Sequence, residues 1–407
     1  MAYDARMLLE LARALLALAV FIGLGWLLSS QRRALPWRVI GWGLGLQILL
    51  AVLVLKTGPG QAAMALANRA VTTLVEMANV GAEFVFGESY ADHWVAFAVP
   101  STIIFFSALM AVLYHLGVLQ WIVRIMATVI VRVLPVSGAE TLAACANVFI
   151  GNTESPLMIK PYLARMTRSE LTTVMLSGFA TISGGMMAVY VGFGADAGYL
   201  LTASLMAAPA SLMMAKILCP ETSEPETLGT QRVEMKSDEV NVLAAQCGGA
   251  STGAKLAINV LAMLIAFISV AALINVLFGL LPDVAGAPLT VERILGWGFS
   301  PLAWLIGADG TEALALGQLL GVKLFLGEFL AFIQLGDMAG TLSDKTFALA
   351  TFALCGFGNF VAVGIQIGGI GTLVPERRDD LARIGLRAML GGTLVTMMTA
   401  TIAGVLL

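Results

Sequence analysis

Residues 152–156 interrupt a long apolar stretch with four polar side chains and a proline. In order they are Asn152, Thr153, Glu154, Ser155 and Pro156. Pro156 removes a backbone donor and favours a break in a helix. If the stretch lies in a bilayer, one acid facing lipid costs about 2.5–3.5 kcal/mol at the centre on insertion scales. We therefore expect these side chains to face protein, water or a polar solute. The alternative is a surface loop between two ordinary spans, but neither flank is long enough to cross alone.

Glu328 is another acid in an apolar row, which runs from Leu324 to Phe332. An intramembrane carboxylate is a functional candidate by default. It could accept hydrogen bonds from the vicinal hydroxyls of a solute. The competing interpretation is a structural carboxylate that pairs with Lys323.

Two further segments, 181–185 and 356–359, carry the sequences Thr-Ile-Ser-Gly-Gly and Gly-Phe-Gly-Asn, which favour local unwinding of a helix. Broken helices expose carbonyls that bind Na⁺ and amides that bind polar solutes, without any lipid-facing backbone. The combined inventory is two carboxylates, two Asn amides, several hydroxyls and the ring of Phe357. It suits a sugar joined to a heterocycle, and a sugar alone or an amino alcohol would fit the same groups.

The composition places these residues in a membrane. Of the 407 residues, 59% are hydrophobic and only 12% are charged, against about a quarter charged in soluble domains. Several apolar runs exceed the roughly 20 residues that a helix needs to cross the hydrocarbon. The net charge of −3 without a basic tract argues against a nucleic acid partner. The four cysteines lack metal-ligand or CxxC spacing, so we expect them to be small buried side chains.

Hydropathy predicts eight crossings. The first apolar run is too long for a typical signal peptide and is expected to remain as a spanning helix. The predicted spans are 7–29, 38–55, 95–118, 171–193, 199–219, 254–281, 345–372 and 385–406.

The short basic loop at Arg32, Arg33 and Arg38 predicts that this loop is cytoplasmic and the N-terminus is outside. With that orientation, Arg293 is an exception on the outer side. The other basic residues that fall in predicted inner connections are Arg124, Arg132, Lys160, Arg165, Arg168, Arg232, Lys236, Arg377 and Arg378.

Residues 139–165 and 307–341 are apolar but interrupted by acids, Gly or Pro. Each is long enough for a helix–turn–helix that enters and leaves on one side, and the two would enter from opposite sides. A weak internal repeat supports the pairing. Glu140 and Glu154 precede one predicted break at a spacing similar to that of Glu312 and Glu328 before the other.

Residues 220–253 are hydrophilic and predict a flexible cytoplasmic linker. Its end, 248–255, resembles a phosphate-binding loop, but Ala254 stands at the lysine position and no strand precedes it. We therefore reject a nucleotide site and direct ATP drive. An intramembrane enzyme is disfavoured because there is no HExxH and no Ser or Cys with a partner His at membrane depth, while a passive channel stays open as a competing class.

Two motifs carry a resemblance to a known family. Gly321-x-Lys323 followed by Glu328-Phe329 and Ala331-Phe332, and the run from Gly151 to Leu163, are similar to the signatures of concentrative nucleoside transporters. The order of spans, hairpins and breaks matches over nearly the whole chain. The resemblance implies an all-α polytopic membrane protein with eight transmembrane helices, two inverted re-entrant hairpins and interfacial helices.

The resemblance also implies a homotrimer in a bacterial inner membrane, with the N-terminus in the periplasm and elevator-type alternating access. Residues 1–118 and 254–300 would form mainly the scaffold and its outer connection. Residues 119–219 and 301–407 would form the two hairpins and the transport domain, joined through the linker 220–253.

By position, the family's substrate site would fall on residues from both hairpins and both breaks. At the nucleobase these are Asn152, Thr153, Glu154 and Met186, and at the ribose Glu328, Phe357 and Asn359. The family's Na⁺ site would map to the side chains of Asn147 and Thr181 and the carbonyls of Ile150 and Ile182. We expect Na⁺ rather than H⁺ because the oxygen-rich set suits a hard cation and both histidines, His93 and His115, lie outside the hairpins. If H⁺ were the coupling ion instead, Glu154 or Glu328 would carry the proton. No organic cofactor is expected.

Three positions depart from the usual family pattern. Asn152 stands where Gln is commoner, Gly327 replaces an Asn, and Ala362 stands where a ribose-contacting Ser is often found. Each change removes a polar side-chain group or shortens the side chain that carries it. We hypothesise an altered preference, such as a bulkier or modified nucleoside or a weaker demand on one ribose hydroxyl.

Overall fold

The computed structural model describes residues 2–229, 239–284 and 286–407. Arg232 and Lys236, two of the basic residues used to predict orientation, lie outside these ranges. The regular structure of the described residues is helical. The α-helices are α1 Ala2–Leu27, α2 Trp37–Lys56, α3 Gly58–Phe86, α4 Trp94–His115, α5 Val118–Val133, α6 Gly138–Ala146, α7 Lys160–Leu163, α8 Arg168–Ala180, α9 Gly184–Gly192, α10 Ala197–Leu218, α11 Val242–Phe278, α12 Val291–Ile306, α13 Gly310–Leu326, α14 Glu328–Asp337, α15 Asp344–Leu354, α16 Phe360–Leu373 and α17 Arg378–Leu406. Short 3-10 helices lie at Glu88–His93, Ser155–Ile159 and Pro375–Arg377.

Seven segments of the described chain are long and apolar enough to cross a membrane. They coincide with seven of the eight predicted spans, with ends shifted by a few residues at most positions. The remaining span, 345–372, is divided between α15 and α16, which are separated at 355–359, where the sequence predicted a break. The span at 171–193 is likewise interrupted between α8 and α9, at the predicted break. The structure also contains α3, α5 and α12, for which no span was predicted.

The linker prediction is wrong at its C-terminal end. Helix α11 already begins at Val242, where the Asn241 side chain accepts a hydrogen bond from the Ala244 amide at 2.8 Å. The glycine-rich segment that resembled a phosphate loop is therefore helical. A Cβ added at Gly249 would lie 2.7 Å from the Ser107 carbonyl, and one added at Gly253 would lie 2.8 Å from the Ile104 Cα. This small-xxx-small spacing lets α11 pack directly on the backbone of α4.

The chain contains two corresponding units, α6 to α10 and α13 to α17. In each unit a helical hairpin is followed by an interrupted helix and then a long helix. Glu140 accepts a hydrogen bond from Thr173 on α8 at 2.6 Å, and Glu312 accepts one from Thr346 on α15. We name α6 to α7 hairpin 1 and α13 with α14 hairpin 2. Each of these two acids thus joins the first helix of its hairpin to the helix that follows.

A buried ionic network fixes the base of hairpin 1. The Lys216 ammonium lies 2.8 Å from a Glu140 oxygen and donates to the Ser169 hydroxyl at 3.0 Å. The side chains of Lys216 and Glu140 are 5% and 0% exposed. Removing one partner from such a pair would leave an uncompensated charge, so the network favours a single position of α6 against α8 and α10.

The close contact of α4 with α11 predicts a specific sensitivity to side-chain size. Gly253→Val should force the two helices apart, costing about 1–3 kcal/mol through overpacking, and lower the thermal midpoint of the purified protein. Gly248→Val is the matched control, because a Cβ there meets only the end of the Glu239 side chain at 3.1 Å. Equal midpoints for the two variants in a thermal unfolding assay would contradict this packing.

Candidate solute and cation site

Glu328 lies at the start of α14 with both carboxylate oxygens engaged. Tyr190 donates to Oε1 at 2.9 Å and the Asn359 amide donates to Oε2 at 2.6 Å. Glu328 is 6% exposed and Asn359 is 5% exposed. The alternative pairing with Lys323 is not what the structure shows, since the Lys323 ammonium donates to the Ala353 carbonyl and the Thr396 hydroxyl.

Tyr190 is held in place by aromatic contacts with the same helix that carries Glu328. Its ring stacks on Phe332 with centroids 4.1 Å apart and planes 15° apart, and it meets Phe329 edge-on at 6.3 Å. Tyr190 itself lies on α9 and is completely buried. The phenol therefore joins the first repeat to the carboxylate of the second.

The second break places the remaining residues of this group. Asn359 is the N-cap of α16, and its side-chain oxygen accepts from the Ala362 amide at 2.8 Å. Phe357 lies within the break and is partly exposed. Gly327, which precedes Glu328, has φ of +112°. A residue with a Cβ would be strained in that conformation, which gives this departure from the family pattern a backbone reason.

The tip of hairpin 1 packs against α8 and α16. Glu154 accepts a hydrogen bond from the Gly151 amide at 2.8 Å, so it closes the tip loop on itself. A Cβ added at Gly178 would meet the Asn152 Cβ at 2.8 Å, and one added at Gly369 would meet the Thr153 Cγ2 at 3.0 Å.

Met186 stands at the start of α9, where its amide donates to the Ser183 hydroxyl at 3.4 Å, and its side chain is buried. The structure thus brings all the predicted solute residues to two interrupted helices and the hairpins beside them.

The two breaks are in direct contact. The Phe357 amide donates to the Thr181 carbonyl at 3.3 Å. A Cβ added at Gly356 would lie 2.8 Å from the Phe179 carbonyl, so the backbones also pack closely here. The proposed solute side and the proposed cation side therefore share a backbone hydrogen bond.

Two of the four predicted cation ligands contact Ser177. The Asn147 amide donates to the Ser177 hydroxyl at 2.9 Å, and the Thr181 hydroxyl donates to the Ser177 carbonyl at 2.8 Å. Because the Asn147 nitrogen is the donor, its oxygen is the free atom, and that oxygen is buried without a partner. Such an orphaned acceptor costs free energy unless a ligand satisfies it.

The two backbone carbonyls predicted as cation ligands belong to segments that are joined by a hydrogen bond. The Gly184 amide donates to the Phe149 carbonyl at 3.1 Å, which holds the segment that carries Ile150 next to the first break. Both of these residues lie in non-helical backbone, whose carbonyls have no helical donor. Neutral oxygens of this kind fit a small hard cation.

Sequence reasoning did not single out two residues of this region, Tyr190 and Gln366, and it left a third, Ser155, out of the predicted solute site. Tyr190 was hidden because an aromatic residue in an apolar helix has no distinguishing signal. The Ser155 hydroxyl is buried without a partner at the tip of hairpin 1. Gln366 is fully buried, donates to the Met175 carbonyl at 3.2 Å, and lies beside Asn152 over Gly178. An amide in the apolar row of α16 was a signal that could have identified Gln366.

Family models match three parts of the chain. Residues 199–404 match the C-terminal part and residues 16–89 the N-terminal part of the Na⁺ dependent nucleoside transporters, and residues 96–197 match a nucleoside recognition model named Gate. The chain belongs to the concentrative nucleoside transporter family. It is a membrane transporter and not an enzyme.

Individual transporters support the same assignment. This family member is 42% identical to an uncharacterized transporter of Haemophilus influenzae, with 96% of each chain covered. It is 37% identical over 96% of its length to the sodium/nucleoside cotransporter 1 of Mus musculus, and spans 63% of that relative's length.

Among solved structures, CNTnw in an inward-facing substrate-bound state has a TM-score of 0.91 at 38% identity, covering 97% of this chain and 99% of that one. A CNTnw variant in an outward-facing state has a TM-score of 0.92 at 37% identity, covering 98% and 99%.

The hydrogen bond from Tyr190 to Glu328 predicts that removing the phenol weakens solute binding without unfolding the protein. Tyr190→Phe removes one donor from the Glu328 carboxylate while keeping the stacked ring, and hydrogen bonds to charged groups contribute about 1.5–3 kcal/mol. We expect the KM of this transporter for a ribonucleoside to rise about tenfold, with the thermal midpoint little changed. Tyr199→Phe is the matched control, since that ring packs on Phe352 away from Glu328. The same KM for both variants would show that the phenol does not hold the carboxylate.

Proposed function

We propose that this chain is a Na⁺-coupled nucleoside symporter that takes nucleosides up across a bacterial inner membrane. The observation that carries the proposal is the buried Glu328 carboxylate, held by donors from both repeats at the meeting point of two interrupted helices. A carboxylate built into such a position is costly unless a ligand uses it.

Glu328 suits the ribose of a nucleoside. Each carboxylate oxygen has two acceptor positions, and Tyr190 and Asn359 occupy one on each oxygen. The carboxylate keeps acceptor capacity beyond these two donors, which suits a hydroxyl of the ribose diol. Phe357 lies in the break two residues before Asn359 and would stack on the sugar or base, and the Ala362 methyl would line the ribose side without adding a polar group.

Hairpin 1 suits the nucleobase. Asn152, Thr153 and Glu154 supply an amide, a hydroxyl and a carboxylate at its tip, and the buried Met186 side chain supplies an apolar wall. Gln366 adds a second amide beside the shorter Asn152 side chain. These groups together match a flat heterocycle that carries hydrogen-bond donors and acceptors on its edge.

Na⁺ is the coupling ion that the oxygen set supports best. Asn147 offers a buried oxygen without a partner, and Thr181 keeps lone pairs free because its hydroxyl proton is used on Ser177. With the carbonyls of Ile150 and Ile182 these groups would hold a small cation and supply its coordination shell. A proton carried on Glu154 or Glu328 is the alternative.

Coupling between ion and solute would pass through the contact of the two breaks. A cation bound at Ile182 orders the first break, and the Thr181 carbonyl accepts from the Phe357 amide in the second. Ordering one break therefore favours the ordered form of the other, and the effect on affinity is reciprocal.

We propose elevator-type alternating access in a homotrimer. Support comes from the family and from the similarity of this chain to both inward-facing and outward-facing CNTnw structures. The packing favours a moving body larger than the sequence suggested. Helices α1 and α2 pack on α10 and α17, whereas α4 and α11 pack mainly on each other. We therefore assign α1 and α2 to the moving part and the α4–α11 pair to the scaffold.

The ion assignment is tested in proteoliposomes. An inward Na⁺ gradient at fixed pH should drive uridine above its external concentration, which a passive channel cannot do. Asn147→Leu should abolish this dependence because it removes the orphaned oxygen, while Asn275→Leu, the same change near the outer end of α11, should retain it. Accumulation that followed a pH gradient at fixed Na⁺ would overturn the Na⁺ assignment in favour of H⁺.

The departures from the family pattern predict an altered order of substrates. Ala362→Ser should restore a polar contact and strengthen competition by uridine relative to 3′-deoxyuridine, by about three- to tenfold for one hydrogen bond. Asn152→Gln should change the order among uridine, adenosine and guanosine. Val361→Ser is the control at the neighbouring position. An unchanged order of competitors in both variants would mean that these positions do not set the preference.

A further inference from the structure

Lys323 is a buried cation that the proposed mechanism does not use. It lies on α13 of hairpin 2 and is 0% exposed. Its ammonium donates to the Ala353 carbonyl at 2.7 Å and to the Thr396 hydroxyl at 2.9 Å. Among the described residues it forms no ion pair with a carboxylate. Burying an ammonium that no carboxylate contacts is expensive, so its direct partners must help to stabilise it.

The end of α15 provides that stabilisation. Ala353 lies in the last turn of α15, where the carbonyls lack helical donors and carry the negative end of the helix dipole. The Thr396 hydroxyl uses its proton on the Thr393 carbonyl at 2.9 Å, so its oxygen is free to accept from the ammonium. Lys323 thus caps the point at which α15 stops.

The contact of Lys323 with the Ala353 carbonyl determines which acceptor is open to the Phe357 amide. In a continuous helix the Ala353 carbonyl would accept from the amide four residues later, which is that of Phe357. Here the ammonium takes that carbonyl, and the Phe357 amide donates instead to Thr181 in the first repeat. The lysine therefore supports both the break and the hydrogen bond between the two breaks.

The first repeat has a different arrangement at the equivalent place. There α8 ends at Ala180, and the side chain that reaches its end from hairpin 1 is the neutral Asn147, whose oxygen has no partner. One helix end thus meets a lysine and the other meets uncharged oxygens. These two ends are related by the inverted repeat.

We propose that Lys323 is a positioning residue that acts as a tethered cation at the end of α15, in the role that a dissociable cation would have at the end of α8. The comparison with the first repeat rests on the proposed Na⁺ site. In this arrangement the break that carries Phe357 and Asn359 keeps its shape without an added ion. Ion dependence then arises from the first repeat alone.

The test separates the charge of Lys323 from its volume. Uridine binding to the purified full-length protein is measured at saturating Na⁺ for Lys323→Met and Lys323→Ala. Both should bind about tenfold more weakly, because both lack the cation although Met keeps most of the volume. Methylammonium should restore binding to Lys323→Ala, where there is room for it, and not to Lys323→Met.

Several results would overturn the proposal. Wild-type affinity in Lys323→Met would show that only volume matters, and a folded Lys323→Ala that methylammonium does not rescue would exclude a cation role. If these variants do not fold, Thr396→Val removes one acceptor of the ammonium while retaining its shape. That variant should lose about three- to tenfold in uridine affinity, and wild-type affinity would contradict the proposal. Absence of Na⁺ dependence in the wild-type protein would instead refute the proposed function, without changing the outcome for charge at Lys323.

Discussion

The ends of two interrupted helices, buried within the helical core, are the constraint on which this structure depends. In a low-dielectric environment an unpaired backbone group costs several kcal/mol, so irregular backbone persists only where other groups satisfy it. At the start of the helix that follows each break the solution is the same, because Ser183 caps α9 and Asn359 caps α16. At the end of the helix that precedes each break the solutions differ, with Lys323 at α15 and an open set of oxygens around Asn147 at α8. Lys323 belongs to hairpin 2 and Asn147 to hairpin 1, so each hairpin supplies the side chain at one of these helix ends.

Much of this arrangement could be predicted because polar residues stand out against an apolar background. Glu328 and the segment at 356–359 were visible for that reason, as were most of the spans. The start of α11 could not be predicted, since a glycine-rich polar segment reads as a loop. Its glycines are needed for contact with α4, and that requirement comes from tertiary packing that a single sequence does not show.

The solute and cation site shows the same division between features that the sequence predicts and features that depend on tertiary packing. Local motifs predicted Asn359 and Thr181 as members, but not the phenol that joins the two repeats. Tyr190 is useful only because its ring is stacked against Phe332 on the helix that carries Glu328. A contact between residues so distant in the chain has no sequence pattern of its own. Likewise, Gly327 looked only like the loss of a polar side chain, whereas the structure shows that it adopts a φ of +112°, a conformation that favours glycine.

The difference between the two breaks gives a physical reason why the binding of one ion would be coupled to the solute residues. If both helix ends were capped by protein cations, both breaks would be ordered at all times and an ion would have nothing to add. If neither were capped, two ions would be required. With one tethered cation, the Phe357 amide is already directed at Thr181, and at 3.3 Å this hydrogen bond is at the long end of ordinary geometry. A cation that settles the Thr181 segment would complete that bond, and this backbone contact would be one route by which the free energy of ion binding reaches the solute residues.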